Sequence, residues 1–200
     1  MIGPVLTSAL VATVALFLVL ALGGYNQLAR SRNRVREAWS GVDVQLQRRA
    51  SLIPNLVDAV QAYAQHERST FEQVTQARAA VQQASSAGEA ASASNVLTQA
   101  LGRLFAVVES YPQLRASESF ARLENELSDI EEKISYARQF YNRNVLDYNN
   151  RIDLFPTVMI ARPFDFRPME FFDAGEEGRA EVRGAFASTR PVTQTQPPPA

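Results

Sequence analysis

The sequence predicts an all-α protein: an amino-terminal transmembrane helix that continues into an elongated antiparallel helical bundle of three long helical segments, or four if Pro54 breaks the first. Three observations carry this reading. An uncharged apolar run extends from Val5 to Leu22. Beyond it, apolar residues recur at spacings that alternate between three and four, the period of one helix face. No apolar–polar alternation of the strand type competes before Thr157.

The first element is the anchor, residues 1–24. At ~1.5 Å per residue the apolar run covers roughly 27 Å, close to a hydrocarbon core of about 30 Å. Arg30, Arg32, Arg34 and Arg36 follow it, and no charged side chain precedes it. The positive-inside rule therefore predicts a single pass through the cell (inner) membrane with the amino terminus outside and the helical domain cytoplasmic; the alternative places that domain in the periplasm. A cleaved signal peptide fits less well, because Met1 to Pro4 carries no basic residue and the arginines lie on the far side of the run. The chain has no Cys, which excludes a lipoprotein anchor, disulfides and thiolate metal sites.

The bundle is expected over 25–156. Its first seam runs through Val35, Trp39, Val42, Leu46, Ile53, Leu56, Val60, Tyr63, Phe71, Val74 and Val81. No Gly or Pro separates Tyr25 from Ala38, so the membrane helix is expected to run on into this seam as a stiff stalk. Pro54 costs roughly 3 kcal/mol in a helix interior, which predicts a kink or a helix boundary near Ala50 to Pro54, with Ser51 as a candidate N-cap for a restart. The small, polar stretch from Ala84 to Ser94 reads as a loop. A second helix carries Val96, Leu97, Leu101, Leu104, Phe105, Val108 and Tyr111 up to Pro112. A third begins near Ser117 and places Phe120, Leu123, Leu127, Ile130, Ile134, Ala137, Tyr141, Val145, Tyr148, Ile152 and Phe155 on one face, ending at Pro156. Trp39, Leu46, Leu127 and Ile134 are the expected structural core. Residues 157–172 read as an extended segment laid on the bundle or folded back toward the membrane, and 173–200 as a disordered, Pro-rich tail.

Composition narrows the chemistry. Twenty basic residues against 21 acidic leave no overall charge to attract nucleic acid, and none is expected as a partner. With a single His and no Gly-rich loop after a strand, Cys-based nucleophilic sites and phosphate-cradling loops are not available. His66 and Glu67 begin the metalloprotease pattern, but Thr70 stands where its second His belongs. A metal site in the acidic stretch Glu124 to Glu132 lacks the Glu-x-x-His motif of carboxylate bundles. No cofactor, metal or catalytic residue is expected. The pairs Tyr141-Asn142 and Tyr148-Asn149 repeat seven residues apart, where Asn beside a seam serves an inter-helix hydrogen bond or, alternatively, a ligand. Arg48 and Arg49 read as an acidic-partner or phosphate site, or as ion-pair partners of carboxylates on the third helix.

The stretches YNQLARSRNRVREAWSGVDVQLQRRASLIPNLVDAVQAYAQHE from Tyr25 and LGRLFAVVESYPQLRASESFARLENELSDIEEKISYARQFYNRNVLDYNN from Leu101, with Phe155-Pro156, closely resemble the bacterial LemA family. Matching motif positions include Trp39, Arg48, Arg49, Pro54, Asn55, His66, Glu67, Arg103, Pro112, Tyr141, Asn142, Tyr148 and Asn149, while Ser51, Glu118 and Ser119 depart from the common pattern. The resemblance implies a membrane helix with its short terminus outside, an all-helical bundle and no established enzymatic activity. It also implies company: members are often encoded beside other membrane proteins, membrane peptidases included, and one branch takes part in forming magnetosome membranes. The expected function is a membrane-anchored scaffold or adaptor whose partners are the lipid bilayer, other membrane proteins such as a peptidase, or further copies of itself. A cytoplasmic-face ligand or anion sensor is the alternative, with a hydrolase around His66 and Glu67 behind it. Candidate contacts are Arg48, Arg49, Asn55, His66, Glu67, Tyr141, Asn142, Tyr148 and Asn149.

Overall fold

The computed structural model describes residues 2–172, so the tail expected over 173–200 lies outside the described residues. Helix α1 spans Ile2–Gln61, α2 Arg68–Gln83, α3 Ala87–Glu109, α4 Pro112–Arg115, α5 Glu118–Asp153 and α6 Val158–Ala161. No strand occurs among the described residues.

α1 has two halves of different character in one unbroken helix. Leu10, Val11 and the residues from Leu16 to Leu20 stand exposed. From Leu28 onward the seam closes: Leu28, Val35, Val42, Leu46, Ile53, Leu56 and Val60 are buried. α5 lies antiparallel along this second half, and its own stripe of Leu127, Ile130, Ile134, Tyr141, Val145, Tyr148 and Ile152 meets it. α2 and α3 form a hairpin that packs on the far part of α1 through Phe71, Val74, Ala77, Val81, Leu97, Leu101 and Leu104.

Pro54 neither ends α1 nor splits it. A proline has no N–H for the carbonyl four residues earlier, which here is that of the fully buried Ala50. The Arg78 guanidinium on α2 supplies the missing donor, its Nε lying 2.9 Å from Ala50 O. Ser51 accordingly caps nothing; its hydroxyl donates to Arg48 O within the same helix.

The loop expected from Ala84 to Ser94 is mostly helix, because α3 already begins at Ala87. Ser86 Oγ accepts the Glu89 N–H, and the Glu89 carboxylate accepts from the backbone N–H and hydroxyl of Ser85. These bonds, the backbone one foremost, hold the Glu89 carboxyl below its ordinary range. They form the reciprocal box that starts a helix, and the alanines beyond it are the best helix formers. Three residues assigned to seams by spacing, Tyr63, Val96 and Phe155, face outward.

Leu46, Leu127 and Ile134 are buried as core, whereas Trp39 is only half-buried at the seam's edge. α5 starts on the Ser117 N-cap, whose Oγ accepts the Phe120 N–H, and ends at Asp153. After the cis Phe155–Pro156 peptide the chain makes the single turn of α6 and then runs without regular structure from Phe166 to Phe172, back along α5.

Candidate functional site

The two Tyr-Asn pairs that stand out in the sequence converge on one feature, a strap formed by Phe166 to Phe172. Asn142 and Asn149 lie on one face of α5, roughly 10.5 Å apart along the helix at ~1.5 Å per residue. Met169 and Phe172 are spaced roughly 10 Å apart in extended chain. The two rulers match, so each carboxamide grips one strap residue as a neighbouring strand would. Asn149 Nδ2 donates to Met169 O and its Oδ1 accepts the Met169 N–H, both at 2.9 Å. Asn142 does the same for Phe172, at 3.1 and 2.8 Å.

Two phenols complete the lashing. Tyr141 donates to Glu170 O at 2.8 Å and Tyr148 to Arg167 O at 2.9 Å. Burial, and secondarily the Glu170 carboxylate, pushes the Tyr141 phenol up to about 12. Burial also raises Tyr148, against the opposing charges of Arg32 and Arg36. At the strap's ends Phe166 packs under the Arg32 guanidinium and Phe172 under that of Arg138, each 5.0 Å from the ring centre. Trp39 meets Tyr141 edge-on at 5.5 Å and lies 6.2 Å from Phe172. The strap thus bridges α5 and α1.

A second polar cluster sits where three helices meet. Arg49 is 97% removed from solvent, with Nη2 3.2 Å from Glu131 of α5 and 2.9 Å from Thr98 of α3, and Nη1 3.4 Å from Ser94. Desolvation pulls this guanidinium below its ordinary value and Glu131 opposes the shift. Its Nε has no hydrogen-bond partner. The sequence had left Arg49 open between an acidic-partner site and a pair with the third helix; in the structure its charge meets Glu131.

The other candidates do not gather. Arg48 and Asn55 are exposed on α1, His66 is exposed in the connection between α1 and α2, and Glu67 is half-buried at the start of α2 without capping it. No group of His, Cys, Asp or Glu fit to hold a metal ion occurs among the described residues. None of Arg78, Ser94 and Thr98 stands out in the sequence, and the extended segment expected over 157–172, which contains the strap, carries no sign of which side chains hold it. Their roles depend on partners that are 19 to 49 residues away, and no local pattern encodes those partners. Only the seven-residue repeat of Tyr-Asn pointed to the strap's holdfast.

Toward the amino terminus, Arg30 and Arg34 on α1 and Arg151 on α5 line an open groove with Asn26, Gln27 and Asn33. Asp147 binds Arg151 Nε at 2.8 Å and accepts from Ser31 at 3.4 Å. The Arg151 contact is the main reason the Asp147 carboxyl lies below its usual range.

These features define an elongated all-helical bundle with one helix long and apolar enough to cross a membrane among the described residues. Residues 38–186 match the LemA family, and the chain belongs to that family. Protein LemA of Metamycoplasma hominis is 27% identical in a match that covers 86% of this chain and 79% of that protein. Magnetosome protein MamQ of Magnetospirillum gryphiswaldense is 25% identical, with 97% of this chain and 82% of the relative covered. Magnetosome protein MamQ 2 of Paramagnetospirillum magneticum is 27% identical over 86% of this chain and 73% of its own length.

Proposed function

We propose that this protein is a membrane-anchored helical scaffold that binds membrane proteins or further copies of itself, with its bundle on the cytoplasmic side. The observation that carries the reading is the continuity of α1. One helix is apolar and exposed at Leu10, Val11, Leu16 to Leu20 and Leu22 and becomes the spine of a packed bundle from Leu28 to Val60. Such a device holds a rod of α1 and α5 at a fixed attitude to the bilayer, and it presents surface rather than a reaction chamber. The relatives named as magnetosome proteins support a role at membranes.

The surface best suited to a partner lies on the α1–α5 seam opposite the strap. Tyr136 and Phe140, one turn apart on α5, are exposed beside an open groove that Gly41, Gln45 and Lys133 also line. Photo-crosslinking amino acids at Tyr136 and Phe140, activated in native membranes, should give discrete adducts with a membrane protein or a second copy. A crosslinker at exposed Glu72 of α2 should not. Adducts equally abundant from all three positions, or none from any, would contradict the scaffold reading. The sensor alternative, built on Arg48, Arg49, Tyr141 and Asn142, lacks a comparable observation, since the polar atoms of the last three are largely taken up by the protein's own groups and Arg48 stands exposed apart from Tyr141 and Asn142.

A further inference from the structure

We infer that the tip of the bundle, from Leu154 to Phe164, is a second membrane contact that dips into the headgroup region of the same bilayer that α1 crosses. The inference rests on the reading of the apolar run as a membrane anchor.

The placement follows from register. Ser31 meets Asp147, Trp39 meets Tyr141 and Arg49 meets Glu131. Descending α5 therefore climbs α1 almost residue for residue, and the last turn of α5 arrives level with Gly24 to Gln27. The chain beyond stays there. The Ile160 side chain of α6 packs onto α1 at Gly24, its Cδ1 only 2.3 Å from where a Cβ would stand. The Tyr25 ring meets Phe164 and Phe166 edge-on at 5.1 and 5.6 Å. Gly24 is two residues past Leu22, the end of the apolar run, a rise of about 3 Å. The tip is thus held at the height where the anchor leaves the hydrocarbon.

Its chemistry suits that height. Leu154 is 61% exposed, Phe155 79%, Met159 61% and Phe164 59%. Single exposed apolar residues are ordinary, but four large ones within one turn-and-helix unit mark an interaction surface. The flanks carry Arg162 on the tip and Arg30 and Arg34 on the facing turns of α1, while Arg151 is paired with Asp147 and the exposed Asp153 is the one acid beside Leu154. Asp165, the acid nearest the apolar tip in sequence on its carboxyl side, is neutralised by Arg167 at 2.8 Å. Apolar side chains that enter the acyl boundary by roughly 5–10 Å, ringed by arginines that meet anionic headgroups, make up an interfacial membrane contact. Two points of attachment, a spanning helix and a tip beside it, fix both tilt and rotation of the rod, which one helix alone does not.

The absence of cysteine makes the test clean. The full chain, reconstituted in vesicles of phosphatidylethanolamine and phosphatidylglycerol, would carry one environment-sensitive dye at a time on Phe155→Cys, Met159→Cys, Leu18→Cys or Glu72→Cys. Spin-labelled lipids would serve as quenchers. All four side chains are exposed, so the substitutions leave the core alone, and circular dichroism would confirm the fold. Dyes at 155 and 159 should emit at shorter wavelength and be quenched several-fold more than the dye at 72, by shallow spin labels more than by deep ones. Dyes at 155 and 159 that emit as in water while the dye at 18 is quenched would overturn the tip contact and leave the anchor standing. Short-wavelength emission that no lipid quencher reaches would place the tip against protein and equally overturn it. An unquenched dye at 18 would overturn the anchor and the tip contact together.

Discussion

Arg78 and Pro54 are coupled through an atom that belongs to neither, the carbonyl oxygen of Ala50. A buried acceptor left unsatisfied costs about 1–3 kcal/mol. Arg78→Ala should therefore destabilise the bundle by about that amount in denaturant unfolding, and Pro54→Ala/Arg78→Ala should recover most of the loss by restoring an intrahelical N–H. Equal losses in the single and double variants would refute the coupling. Trp39 makes a similar argument about degree. Its helical spacing placed it in the core, but the seam is only as wide as α5, and the indole lies on its edge against Tyr141 and Phe172. Trp39→Ala should cost about 2–3 kcal/mol, below the ~3–5 kcal/mol of a fully buried aromatic, together with a loosened strap. An unchanged melting temperature would show that the strap contributes nothing to the packing there.

Among the elements, α1 and α5 are legible in the sequence because each carries a single unbroken stripe, and a stripe states both the helix and the face it buries. Pro54 misleads because the rule against internal proline describes an isolated helix, and the compensating donor comes from another element. The start of α3 is misread for a different reason. Ala and Ser in Ala84 to Ser94 look like loop by composition, yet Ser86 and Glu89 stand at capping-box spacing. The strap is legible as part of the extended segment expected over 157–172, but the turn of α6 within that range is not, nor are the α5 side chains that hold the strap's backbone.

Hydrogen-bond geometry makes the strap testable. Asn142→Ala/Asn149→Ala removes four of its six side-chain bonds and should sharply raise hydrogen exchange at Met169 and Phe172 while α5 stays protected. Slow exchange in that variant would show that the aromatic contacts alone hold the strap. The phenols add a pH signature. Tyr141 is raised to about 12 in the folded protein, above the ~10 of an unfolded chain. Its contribution to stability is therefore complete below pH ~10 and is lost as pH rises through about 12. Ultraviolet titration should resolve a late-ionising tyrosine that the double Asn variant shifts toward ~10; ionisation of Tyr141 at ~10 in the intact protein would contradict its burial.

At the scale of the whole molecule the helices set the attitude of a rod. α1 ties an apolar segment long enough to cross a membrane to a rod without a hinge, α5 returns along it to the level where that segment ends, and the strap runs back up to Trp39. Family membership follows from the match over residues 38–186, and the fold agrees with it, but the side of the membrane on which the bundle stands rests on four arginines after the anchor. Topology reporters fused after Ala200 test this most directly. A reporter active only in the cytoplasm should function there, and alkaline phosphatase at the same position should be inactive. Active phosphatase with a silent cytoplasmic reporter would place the bundle outside and contradict the proposed orientation.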